Sequence, residues 1–265
     1  MTNNFQLKLL LLLLPGVVLY ACKPAATAPS PAGKITITSF MQPVDSTLDA
    51  QPDAAAQAIL DKYKPAMDAL MNEVIGQSEV DMPVAGRPES LLSNFTADAL
   101  LRIAEQQGWP ADVSLYNFGG IRSSLAAGAV RLYDIYALYP FENDLVILTI
   151  QGRYLRELAT LFAERNVQPM GNVRLAIAQK EVKSLRINNA EVDDEKMYRL
   201  ITNSFVAEGG DGMEALLHAV AVERTGMTVR DGMIAYIKSL TAAGKPITAT
   251  LDGRTVVNGE LKMEN

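Results

Sequence analysis

What the sequence is short of narrows its chemistry first. Its 265 residues include one histidine, one cysteine and one tryptophan, only 6% are aromatic, and 30 acidic against 24 basic residues give a formal net charge of −6. A single cysteine excludes an internal disulfide. A single histidine excludes a metal centre or proton relay built on several imidazoles. An acidic chain lacks the basic face that a nucleic-acid polymer needs, so local arginines must do any anion binding. There is no Gly-x-Ser-x-Gly elbow, Ser123 and Ser124 have no evident base, and no internal repeat is found. What is present is enough for a core: the chain is 49% hydrophobic and 20% charged, which suits one large globular domain or two small ones.

The longest apolar run stands at the start. Lys8 precedes a stretch from Leu9 to about Tyr20 that is too short to span a bilayer, which takes about 20 apolar residues. It has the layout of a secretory signal. Leu19-Tyr20-Ala21-Cys22 resembles a bacterial lipobox, in which the cysteine is lipidated and becomes the new N-terminus. "KPAATAPSPAG" follows, a composition that forms a semi-extended tether rather than a packed core. The expected organisation is a lipoprotein signal peptide over 1–21, a Pro/Ala-rich tether over 22–33 after lipidated Cys22, and a folded domain over 34–265. The protein is expected outside the cytoplasm, held to a bacterial membrane by its lipid, in the periplasm or at the cell surface.

Periodicity predicts the elements of the folded part. "KITITSF" (Lys34 to Phe40) alternates like a strand. Ile59, Tyr63, Met67, Leu70, Met71 and Val74 recur at helical spacing between Asp49 and Gly76, with Pro65 a kink or break. Leu92, Phe95, Ala99 and Ile103 form one face of a helix from Glu89 to Gln107. "VSLYN" reads as a buried strand, "DIYALY" as helix, "DLVILTI" as a continuous apolar strand and "RYLRELATLFAER" as an amphipathic helix. "VRLAIA", "SLRI" and "YRLITNSF" read as strands, Asn188-Asn189 as a turn. Thr228 to Leu240 reads as a last helix, followed from Ile247 by strands around a "DGR" turn. Adjacent strands with interspersed helices predict an α+β fold, a layered domain of mixed β-sheet and helices.

Three stretches could carry chemistry. In "NFGGIR", Gly119 and Gly120 permit close approach of a ligand, Asn117 can donate and accept, and Arg122 offers a planar fork for phosphate or carboxylate. In "LYPFEND", Pro140 holds Phe141 at a loop tip, as a core plug or a stacking platform. In "TNSFVAEGGDGM", a strand ends in Phe205 and runs into Gly209-Gly210-Asp211-Gly212, where glycine frees the backbone to place one carboxylate against a diol.

In this order and spacing, "NFGGIR", "YPFEND" and "FVAEGGDG" resemble the C-terminal domain of the 5'-nucleotidases, a family that also includes UDP-sugar hydrolases and 2',3'-cyclic phosphodiesterases. "PESLLSNFTADAL" (Pro88 to Leu100) is similar to the helix that opens that domain, and the similarity extends from about Glu79 to Leu240. The resemblance implies that Phe141 and Phe205 sandwich a nucleobase and that Asn117 meets the base edge. It implies that Asp211 accepts from the ribose hydroxyls and that Arg122 contacts phosphate, with Arg87 as a further phosphate arginine. Gly119, Gly120 and Gly210 would keep the backbone close to the ligand. Phe118 stands where many relatives have glycine.

Relatives that cleave phosphate esters do so with a divalent metal pair in a separate N-terminal domain. The stretch between the tether and Glu79 has no room for one. His218, in "EALLHAV", reads as a partly buried imidazole, and "EVDDEK" (Glu191 to Lys196) as a solvated hairpin; neither makes a metal site. No catalytic residue is expected in this chain. The expected function is therefore nucleotide recognition within a split 5'-nucleotidase-type phosphoesterase, completed by a separate metallophosphatase chain that holds the metals. The alternatives are a stand-alone nucleotide- or nucleoside-binding lipoprotein, and a scaffold that binds nothing.

Overall fold

The computed structural model describes residues 37–258, apart from 42, 51, 52 and 85. The expected signal peptide, the lipidated Cys22 and the tether lie outside the described residues. The chain divides after Pro52 into two units. In the first, the Asp45 carboxylate accepts from the Thr47 amide and hydroxyl at the head of a 3-10 turn, Ser46–Ala50. Residues 37–40 do not form the expected strand, and Ile37 and Phe40 are exposed. Alternation favours a strand only where a neighbouring strand takes its hydrogen bonds.

The helices of the second unit are α1 (Ala54–Met71), α2 (Leu91–Gln106), α3 (Leu132–Leu138), α4 (Gly152–Glu164), the single turn α5 (Ser204–Ala207) and α6 (Val229–Ala242). Its strands are β1 (Val74–Ser78), β2 (Val113–Leu115), β3 (Gly128–Arg131), β4 (Asp144–Gln151), β5 (Met170–Gly171), β6 (Val173–Ala178), β7 (Glu181–Ile187), β8 (Ala190–Glu191), β9 (Met197–Asn203), β10 (Ala221–Thr228) and β11 (Thr255–Val257). The central sheet has the order β10-β4-β9-β2-β5. A smaller sheet has the order β11-β6-β7-β8, and β1 pairs with β3.

The continuous apolar run of β4 is explained by its place in the central sheet, flanked by β10 and β9 and covered on both faces. Val146, Leu148 and Ile150 pack with Leu155, Leu158, Ala159 and Phe162 of α4 and with the inner face of β6 and β7. Leu145 and Ile147 pack on the opposite face with Leu92, Phe95 and Ile103 of α2, Ile135 of α3 and Met233 and Ile237 of α6. The expected α+β layering is thus realised as three layers. Helix α2 starts at a capping box in which the Ser90 and Ser93 hydroxyls each accept from the other's amide. Asn188 and Asn189 both take positive φ in the turn joining β7 to β8.

Several expectations are corrected. Helix α1 runs through Pro65, its stripe of Ile59, Tyr63, Met67 and Leu70 is more than half exposed, and Val74 belongs to β1. Phe205 is not in a strand: β9 stops at Asn203, whose side chain caps α5 by accepting from the Val206 amide. Ile247 makes only an isolated bridge to Ser78, so among the described residues the tail contributes one strand, β11. His218 is exposed at the end of a 3-10 turn and stacks on Tyr154 with 4.4 Å between ring centroids. In the acidic run, Asp194 and Glu195 pair with Arg156 and Arg153 of α4.

Candidate functional site

Topology brings the three motif stretches together. Strands β2 and β9 are parallel, with Ser114 opposite Ile201, and β4 is antiparallel to β9, with Leu145 opposite Asn203. The C-terminal ends of β2 and β9 and the N-terminal end of β4 therefore emerge at one edge of the sheet. From that edge leave the segments 116–122, 203–212 and 139–144, which carry the residues singled out from the sequence.

Asn117, directly after β2, is 4% exposed. Its Nδ2 donates to Asp211 Oδ2 at 2.9 Å and its Oδ1 accepts from Asn203 Nδ2 at 3.0 Å. Both ends of the amide are occupied within the protein. Asn117 is thereby suited to holding the Asp211 carboxylate. Asp211 itself is exposed, with φ +56, after Gly209 at φ +85. Gly210 lies flat on the Phe205 ring, where an added Cβ would come within 2.4 Å of the ring. At Gly120 a Cβ would come within 2.8 Å of Tyr116.

Phe141 and Phe205 are 46% and 43% exposed, so neither ring is a core plug. The Phe141 loop is fastened from beneath. Tyr139 is buried, shares a 2.8 Å hydrogen bond with the Thr96 hydroxyl and meets Tyr116 edge-on at 6.0 Å. Burial pushes the pKa of both phenols up, which favours their neutral form. From α6, Arg230 reaches the carbonyls of Tyr139 and Pro140 at 3.5 and 3.4 Å, pairs with Glu142 and lies 4.3 Å over the Tyr136 ring. Burial alone would lower its pKa, but the Glu142 carboxylate outweighs that and the guanidinium is held above its ordinary value. The Val229 amide donates to the Asn143 carbonyl at 2.9 Å. The first turn of α6 thus pins the chain on both sides of Phe141. No sequence motif marks Arg230.

Arg122 is exposed, with its guanidinium 6.0 Å from the Phe141 ring centroid and Nη1 3.4 Å from the Gly119 carbonyl. Arg87 lies 4.1 Å over the Phe118 ring and donates to the Val167 carbonyl at 2.9 Å. Phe118 therefore serves as a platform for Arg87. Gln168 supports the same turn by accepting from the Phe118 amide. A cleft of about 450 Å³ opens here, with Arg87, Gly119, Arg165, Gln168 and Asp211 on its wall. Arg165 and Gln168 come from the loop after α4, which carries no motif, and only proximity in the fold reveals them.

A second, larger cleft of about 980 Å³ lies at the other end of β2, beside Trp109 and Asp112. There Arg254 pairs with Asp98 and Asp252, and Arg199 with Glu223. Among the described residues no group of three His, Cys, Asp or Glu side chains is placed to hold a metal ion, and no helix is long and apolar enough to cross a membrane.

Comparison with known proteins matches residues 74–218 to the family model described as 5'-nucleotidase, C-terminal domain. The crystal structure of a 5'-nucleotidase precursor from Thermus thermophilus superposes with a TM-score of 0.67 at 29% identity, over 78% of this chain and 43% of that one. The endonuclease YhcR of Bacillus subtilis is 27% identical over 77% of this chain and 17% of its own. The cell wall protein Lmo0130 of Listeria monocytogenes is 25% identical over 86% of this chain and 33% of its own. The chain spans a third or less of the length of these two curated relatives.

Proposed function

The chain belongs to the 5'-nucleotidase C-terminal domain family, and from that premise we propose that it recognises the nucleotide for a 5'-nucleotidase-type phosphoesterase whose metal chemistry resides in a separate metallophosphatase chain. The observation that carries this reading is the convergence at one sheet edge of two half-exposed phenylalanines, a held carboxylate and arginines that, among the described residues, have no acidic partner. Phe141 and Phe205 take the base between them by offset stacking. Asp211, fixed by Asn117, accepts from the ribose hydroxyls. Arg122 binds phosphate through charge-assisted hydrogen bonds, Arg87 stands in the adjoining cleft as a further phosphate arginine, and Gly119, Gly120 and Gly210 keep the backbone out of the ligand's way.

A divalent metal pair, as the family's hydrolytic members use, would supply a hydroxide nucleophile and clamp the reacting oxygens. Among the described residues no group of three His, Cys, Asp or Glu side chains is placed to hold such a centre, and the chain has a single histidine. The metals accordingly belong to the second chain, and no step of bond cleavage is assigned to residues here. Lipidation at Cys22 would hold the complex at a bacterial membrane, outside the cytoplasm. A relative named as a cell wall protein is in keeping with that location.

The test is phosphate release from AMP with a divalent metal, comparing a candidate metallophosphatase alone with the mixture. A stable complex and a faster rate are expected; neither appearing sinks the split arrangement. Tight binding of AMP without any associating phosphatase would favour a stand-alone nucleotide-binding lipoprotein instead.

A further inference from the structure

Arginines in this molecule fall into two groups. Arg153, Arg156, Arg199, Arg224, Arg230 and Arg254 each pair with a carboxylate. Among the described residues Arg87, Arg122 and Arg165 make no such pair, and all three stand around the motif loops; Arg131, also without an ion pair, bonds Asn72 instead. Three exposed cations left without acids on a chain of net charge −6 mark a place kept for an anion.

These three do not share one seat. Arg122 stands over Phe141 and is not on the wall of the 450 Å³ cleft, whereas Arg87 and Arg165 both are. Gly119 adjoins both positions, its carbonyl facing Arg122 while the residue lines the cleft. Arg165 follows α4, and an arginine serving only that helix end would lie over the helix's last carbonyls. Its guanidinium instead reaches the Asp211 loop, where Nη1 lies 2.7 Å from the position a Cβ would take at Gly212. Gly212, at φ +80, leaves that space open. Within the cleft two guanidinium charges face the single carboxylate of Asp211.

We infer that Arg165, together with Arg87, forms a second anion seat beside the one at Arg122, and that it makes this site favour a nucleotide carrying two or more phosphoryl groups over the monophosphate. This rests on the nucleotide reading above. One guanidinium fork satisfies one phosphoryl group, and a pyrophosphate offers oxygens to two such forks at once.

Calorimetry on the full chain with AMP, ADP and inorganic pyrophosphate tests it. Arg165→Met should weaken ADP and pyrophosphate by about tenfold or more and AMP by less than about twofold, the scale of one charge-assisted hydrogen bond. Arg165→Lys should recover part of the loss, and both variants should melt with the wild type because the side chain is exposed. Equal losses for AMP and ADP, or none for ADP, overturn the inference. If pyrophosphate binding depends on Arg165 while AMP and adenosine do not bind, the seat stands and the nucleotide reading falls. If AMP binds but ADP binds no more tightly and ignores Arg165, the seat falls alone.

Discussion

The two ends of β2 open onto clefts that contrast in size and in charge balance. At the Asp112 end lies the larger, about 980 Å³, and its arginines are neutralised: Arg254 is forked onto Asp98 and braced by Asp252, and Arg199 is forked onto Glu223. At the Asn117 end lies the smaller, about 450 Å³, where among the described residues Arg87 and Arg165 have no acid partner and the one carboxylate, Asp211, is held by an amide rather than by a cation. On the nucleotide reading, the difference teaches that charge balance is a better guide to a ligand site than volume. A guanidinium satisfied within the protein stabilises the fold and has little left to offer, whereas one left to solvent gains most when an anion arrives.

That contrast breaks first if the paired cleft turns out not to be structural. Arg254→Met strips Asp98 and Asp252 of a nearly buried partner and should destabilise the protein by about 2 kcal/mol, less than a fully buried pair because Asp98 is half exposed. Thermal melts should fall accordingly while AMP affinity at 25 °C, below the transition, is unchanged. Loss of nucleotide binding with stability intact would move the functional site to the larger cleft. On the other side, Phe205→Ala should weaken adenosine binding by about 1 to 3 kcal/mol, the scale of one stacked base, with no change in pyrophosphate binding. Equal weakening of the two ligands would show that the ring supports the loop rather than the base.

The smallest effect concerns pH. Burial would raise the Asp252 carboxyl pKa, but the Arg254 guanidinium outweighs it and holds it below its ordinary 3.8. A carboxyl whose pKa is depressed in the folded state stabilises the fold above its unfolded value, and that contribution is lost as pH falls through the folded one. As pH drops from about 5 to about 2, the wild type should therefore lose more stability than Asp252→Asn. Parallel curves would mean that the pair contributes nothing.

Much of this was legible in the chain itself. The buried face of α2, the apolar run of β4 and the Asn188-Asn189 turn follow from local periodicity and turn chemistry, which the fold leaves unchanged. Strand β10 was not, because it is an edge strand with mostly exposed side chains and no clean alternation. The partners of Asn117 within the fold also escaped. Its type predicts hydrogen bonding but not with what, and its partners Asp211 and Asn203 lie 94 and 86 residues away. Arg165 and Arg230 carried no signal, since nothing local distinguishes an arginine that will be left without an acid from one that will be paired.

By itself, then, the sequence determined the α+β layering, the identity of the family and the scarcity of histidine and cysteine, all of which depend on residue type, order and short-range spacing. The tertiary structure alone decided which arginines are neutralised, which aromatic rings stay half exposed and which amide steadies Asp211. Those outcomes depend on distances between segments far apart in the chain, and such distances are set by strand order and helix packing rather than by any local pattern.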